Sequence, residues 1–147
     1  MTQPDNAVRV HIYERFVEDG RPPAVAETAA ALGLDLAEAA EAYRRLEEAH
    51  VIVLAPETTD VWMANPLSAV PTPFRVETER GSFYGNCIWD ALGTVAMLGR
   101  NGRVETRCPD CREPLVFTVT AGELEPVDAV VHYAVPAASW WDDIGFT

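Results

Sequence analysis

Gly85-Asn86-Cys87-Ile88-Trp89-Asp90-Ala91-Leu92 opens a helical run in a half of the chain that otherwise reads as strands. From Cys87 to Leu98 the apolar residues fall at helical spacing, and Gly99 ends the run. On the N-terminal side, Phe74 to Thr78 alternates as a strand, and Glu79 to Gly85 reads as a loop with two glycines. On the C-terminal side, Arg103 to Arg107 and Leu115 to Thr120 read as strands around the turn Cys108-Pro109-Asp110-Cys111. Asp128 to Val135 is strongly β-branched and reads as a central strand ended by Pro136. The pattern predicts a mixed, mainly antiparallel β-sheet domain with one central helix over residues 76–147.

The chain before it is of a different kind. Val8, Ile12 and Phe16 recur at i, i+4 and i+8, which marks one apolar helix face, and Gly20 with Pro22-Pro23 ends that helix. Ala24 to Leu32 is an Ala-rich helix closed by Gly33. Asp35, with Glu38 three residues on, has the pattern of a capping box opening a third helix. Leu36, Ala39, Tyr43 and Leu46 are expected on its inner face. Val51 to Ala55 and Val61 to Ala64 read as a hairpin. Three helices and a hairpin predict a winged-helix-like unit over residues 1–65, and the prolines of 66–75 predict a linker. The fold class is therefore α+β.

Charge limits what the first unit can do. The 147 residues carry 23 acids against 11 bases, a formal net charge of -12, and all 11 bases are Arg. Without lysine, every Schiff-base or Walker-type mechanism is excluded. Residues 1–70 hold 12 acids and 5 Arg, and the would-be recognition helix sets Glu38, Glu41, Glu47 and Glu48 against Arg44 and Arg45. Phosphate repels such a helix, so the unit reads as a scaffold, with no nucleic-acid partner. The acidity also argues against an anionic membrane surface. The polar start Met1 to Asn6 lacks a signal core, and no apolar run reaches spanning length, so a cytoplasmic setting is expected.

Three cysteines in such a setting point to chemistry, metal binding or core filling. Asn86 can cap the central helix, which would place Cys87 in its first turn, where the helix dipole should lower the thiol pKa. Asp90 is three residues on, on the same face. Its charge would oppose thiolate formation and raise its own pKa, so the pair should share a proton. Cys108 and Cys111 have the spacing of a zinc-knuckle half-site or a redox pair. Reduced structural thiols, a metal site and a disulfide all remain open for them. Any further ligands would come from Cys87, His132 or a second subunit. Trp140-Trp141-Asp142-Asp143 reads as a core cover with a solvated acidic edge. His132 falls in the predicted strand, and His11 and His50 have no visible partner.

Phe83-Tyr84-Gly85-Asn86-Cys87-Ile88-Trp89-Asp90-Ala91-Leu92, then Gly99, Arg103-Val104-Glu105-Thr106-Arg107-Cys108 and a Val-rich segment, resemble the alkylmercury lyase family. The resemblance implies an N-terminal winged-helix-like unit with no DNA role, and protonolysis of carbon–mercury bonds. It implies that Cys87 captures Hg(II) and that Asp90 moves the thiol proton to the carbon leaving group. Cys108 corresponds to a family cysteine whose role looks structural, and Cys111 is an addition. The family's second mercury-binding cysteine belongs after a segment like Trp141 to Thr147. The chain ends there, so a truncated or degenerate form with impaired lyase activity is expected. The expected partners are a small soft electrophile or organometal substrate and cellular thiols. No cofactor is required, and Hg, Cu or Zn are the ions expected at Cys87, Cys108 and Cys111. The alternative is a non-catalytic thiol protein that binds or senses these metals.

Overall fold

The computed structural model describes residues 3–145. Helix α1 (Gln3–Asp19) buries Val8, Ile12 and Phe16, the expected stripe. Removing each of the larger two from water is worth about 2 kcal/mol. Helix α2 (Val25–Leu32) ends at Gly33, whose φ of 68° is the left-handed cap that glycine favours. Helix α3 (Leu36–Glu48) starts where Asp35 accepts the Glu38 N–H at 2.7 Å. Ala39, Ala42, Tyr43 and Leu46 face inward, but Leu36 is 60% exposed and does not belong to that face. As first residue after the cap, Leu36 lies beyond the packed surface of α1 and α2. The buried Tyr43 hydroxyl shares a 2.7 Å bond with Thr28 and donates to the Pro23 carbonyl.

A three-stranded antiparallel sheet follows: β1 (Val53–Leu54), β2 (Val61–Ala64) and β3 (Leu67–Ser68), in that order. The segment expected as a linker thus opens with a strand. Leu67 is fully buried and also bridges to Gly85, because an apolar residue between two sheets gains more from burial than from solvation.

The second sheet has five strands, all antiparallel: β4 (Arg75–Thr78), β5 (Gly81–Tyr84), β6 (Gly102–Arg107), β7 (Pro114–Thr120) and β8 (Glu123–Leu124), in the order β5-β4-β6-β7-β8. β5 lies where a loop was expected. Only Glu79 and Arg80 make the turn, and Ser82-Phe83-Tyr84 continues the alternation of β4. Phe83, Val76, Val104 and Phe117 pair across four strands as one buried rung. Helix α4 (Ile88–Leu98) packs on β4 and β6 and buries Ala91, Thr94 and Val95. A Cβ on Gly102 would stand 2.8 Å from the Val95 methyls, so the helix lies directly on the strand.

Asp128 to Val135 is not a central strand. It is irregular chain with Val130 91% exposed. The interior places of the sheet are taken by β4, β6 and β7, so β-branched content alone does not make this segment a central strand. A short 3₁₀ helix, Ala137–Asp142, follows. The core is one continuous apolar cluster from α1 to β7. No helix among the described residues is long and apolar enough to cross a membrane.

Candidate thiol and carboxylic acid site

The turn from β5 into α4 places the site. A Cβ on Gly85 would fall 2.5 Å from the Ala91 nitrogen, so only glycine lets the strand end press against the first helical turn. The Gly85 N–H bonds the Phe74 carbonyl, and its own carbonyl accepts the Thr72 hydroxyl at 2.6 Å. Cys87, not Asn86, is the N-cap: its φ is −143°, and its carbonyl accepts the Ala91 N–H at 2.9 Å.

Cys87 and Asn86 line a cavity of about 490 Å³ and an adjoining one of about 200 Å³, and Asp90 lines the smaller. The opposite wall is the irregular segment 132–145, through Tyr133, Trp140 and Ile144. Burial pushes the Asp90 carboxyl above its ordinary pKa, while the Asn86 amide and the Cys87 thiol, both donating to it, pull it partly back. Burial likewise pushes the Cys87 thiol up. The Asp90 and Trp89 backbone N–H groups favour the thiolate, but the Asp90 charge opposes it. The helix N-terminus therefore does not win at Cys87, contrary to the sequence expectation: desolvation outweighs it. Cys87 and Asp90 thus stand within reach of one another, and each is disfavoured in its charged form.

Three further side chains reach this pair. Asn86 donates to Asn65 Oδ1 at 2.9 Å, and the Asn86 Oδ1 is buried with no partner. Tyr13 of α1 donates to the Asn65 carbonyl at 2.9 Å and feels the Asp90 charge. Tyr133 lines the same two cavities as Cys87, and its pKa is raised by burial and then by the charges of Cys87 and Asp90. Sequence reading missed Asn65, Tyr13 and Tyr133, whose approach depends on tertiary packing. It saw Asn86 only as a cap.

The other candidates lie apart from the pair or serve other ends. All three cysteines are free. Cys108 and Cys111 sit in the β6–β7 turn, Cys108 on an outer groove and Cys111 exposed. Backbone N–H groups of Cys111 and Asp110 lower the Cys108 pKa. Among the described residues no three His, Cys, Asp or Glu side chains gather as a metal-binding group, so Cys87, Cys108 and Cys111 are not one cluster. His132 lines the larger cavity from irregular chain, not from a strand. His50 does have a partner: Trp141 stacks on it, centroids 3.9 Å apart and planes 7° from parallel. The Trp140 indole N–H donates to the Val135 carbonyl at 2.9 Å.

A sheet-backed helix that sets a cysteine and an aspartic acid side by side on an open, largely apolar cavity defines a thiol–acid site, and a solved structure agrees in fold. The mercury-bound form of MerB2, known from its crystal structure, superposes with a TM-score of 0.67 at 18% identity, over 86% of this chain and 60% of that one. The chain thus spans about three fifths of the length of that relative. No curated protein matches it by sequence. The sequence profile of MerB, alkylmercury lyase, matches residues 67–147, from β3 through the described C-terminal segment and across all three cysteines and Asp90. The chain belongs to the alkylmercury lyase family.

Proposed function

We propose that this protein is organomercurial lyase-like, with Cys87 as the mercury-capturing thiol and Asp90 as the proton carrier. The observation that carries the reading is the Cys87 thiol set against Asp90, both with raised pKa values, on the wall of a cavity lined by Met63, Ile144 and three tryptophans, with Asn65, Asn86 and Tyr133 as its other polar members. A protonated thiol in such a place is held in reserve until a soft centre arrives. When R–Hg–X enters, a Cys87 sulfur lone pair binds mercury, X leaves, and the thiol proton passes to the Asp90 carboxylate. Asp90 then returns that proton to carbon. The C–Hg bonding pair becomes the new C–H bond, and Hg(II) stays on sulfur until a cellular thiol exchanges it away. Asn86 orients Asp90, and Tyr133 closes the cavity over both. In this reading residues 1–65 are a winged-helix-like scaffold that holds Asn65 against the site, residues 66–75 lead into the second unit, and residues 76–147 carry the chemistry.

The test is turnover of methylmercury or phenylmercury with excess monothiol, read as released methane or benzene. Cys87→Ser should abolish release, and Asp90→Ala should bind the organomercurial without cleaving it. Stoichiometric mercury uptake with no hydrocarbon from the unaltered chain would instead support a binding or sensing protein. Turnover indifferent to Cys87→Ser would remove the proposal.

A further inference from the structure

We propose that Cys108 and Cys111 form a second mercury site, a two-thiolate chelate for a soft d10 cation, on the outer side of the Cys87 cavity. The turn is built for it. The Cys108 N–H bonds the Glu113 carbonyl at 2.9 Å, and the Arg112 N–H bonds the Cys108 carbonyl at 3.0 Å, with Arg112 at a φ of 64°. This closes the loop so that the Asp110 and Cys111 backbone N–H groups point at the Cys108 sulfur, with the Cys111 thiol also against it. Two sulfurs fixed together bind one cation far more tightly than two separate thiols, because the second bond forms at high effective concentration.

Coordination number selects the cation. A structural zinc needs four donors, and no group of three is present among the described residues. Hg(II) and Cu(I) are satisfied by two thiolates. Charge agrees. Two thiolates would add to a net charge of -12 and meet the Asp110 charge, yet Arg75, Arg103, Arg107 and Arg112 line the groove that holds Cys108 against one acid, Glu105, with Arg75 and Arg103 paired to Glu77 and Glu105. Among the described residues neither Arg107 nor Arg112 has an ion-pair partner. Position agrees as well, because Pro109, between the two cysteines, lines both this groove and the Cys87 cavity.

Loading is thiol exchange without redox. Hg(SR)2 loses two Hg–S bonds and gains two, to Cys108 and Cys111. Their protons leave on the two released RSH molecules, and mercury remains Hg(II). Transfer of product from Cys87 to this turn rests on the lyase reading; the chelation itself does not.

The experiment uses the full chain with Cys87→Ser, which removes the half-buried thiol, and mercuric chloride pre-mixed with excess 2-mercaptoethanol. Native mass spectrometry should find one mercury per chain. Adding Cys108→Ser or Cys111→Ser should lower the retained mercury at least tenfold, and the triple variant should hold none. These positions lie on a surface turn, so the variants should fold, which circular dichroism checks. Equal retention by Cys87→Ser and the triple variant, or mercury found only bridging two chains, would overturn the proposal. Because no carbon–mercury bond is cleaved, either outcome leaves the lyase reading to its own test.

Discussion

The Asn86 amide donates to the Asn65 side-chain oxygen over 2.9 Å, tying the residue before Cys87 to the loop between β2 and β3. The N-terminal half thereby reaches the candidate site at second hand. Asn65 also takes the Tyr13 hydroxyl on its carbonyl, so α1, the first sheet and the α4 turn meet at one residue.

Asn65→Ala should therefore loosen the orientation of Asn86 and Asp90. The lost bond should cost about 1 kcal/mol of stability. Turnover should fall roughly tenfold, in line with the loss of a group that orients a reactive one. Urea unfolding and hydrocarbon release measure the two effects separately. Unchanged turnover would mean that Asn86 is held by the helix start alone.

Gly85→Ala tests the close approach that sets Cys87. A Cβ 2.5 Å from the Ala91 nitrogen must displace backbone, and the expected destabilisation is about 3 kcal/mol, the upper end for overpacking. Gly99→Ala is the control. Its Cβ meets nothing within 4 Å and its φ of 172° is ordinary extended backbone, so its unfolding midpoint should match that of the unaltered protein.

The raised Asp90 pKa fixes a sign. Folding favours the protonated carboxyl, so this contribution is fully present below the unfolded pKa of about 4 and is lost as pH rises through the higher folded value. At neutral pH Asp90→Asn should be more stable than the unaltered chain, and the gap should close towards acid. Urea unfolding as a function of pH shows it, and a gap that widens towards acid would contradict the assigned burial.

The two kinds of thiol should separate by reactivity. Cys108 is lowered and Cys87 raised, so iodoacetamide at neutral pH should label Cys108 first. Asp90→Asn removes the charge that opposes the Cys87 thiolate and should speed labelling there while leaving Cys108 unchanged. Peptide mapping of the alkylated chain reads both rates.

Trp141→Ala removes the stack on His50, worth about 1 kcal/mol. The segment over Cys87 should then open more often, and Cys87 labelling should rise several-fold with the overall unfolding midpoint little changed. An unaltered Cys87 rate would show that Trp140 and Ile144 suffice to hold the wall.

The helices were legible because their signals are local: the Val8-Ile12-Phe16 stripe, the Asp35 cap and the glycines at 20, 33 and 99 each act within a few residues. The Cys87 and Asp90 pairing was legible for the same reason, as helical spacing alone puts them together. What failed depended on distant partners. Val130 and Val131 are β-branched, but a central strand needs an interior place in a sheet, and β4, β6 and β7 hold those places. The direction of the Cys87 shift depends on a wall contributed more than forty residues later, so the helix dipole was visible in the sequence and the burial that overrides it was not. The partner of His50 is likewise ninety-one positions away.

The jam at Gly85 has a consequence for how such a molecule can change. The Cys87 sulfur is located chiefly by the close approach of the Gly85 and Ala91 backbones, whereas the facing wall of the cavity is chain outside the two sheets, from 132 to 145. Replacing Tyr133, Val135 or Ile144 would reshape what the cavity admits without moving Cys87. The architecture separates what the cavity admits from where the thiol stands: one can drift by single substitutions while the other stays anchored, which makes the protein a tractable starting point for reshaping the cavity in the laboratory.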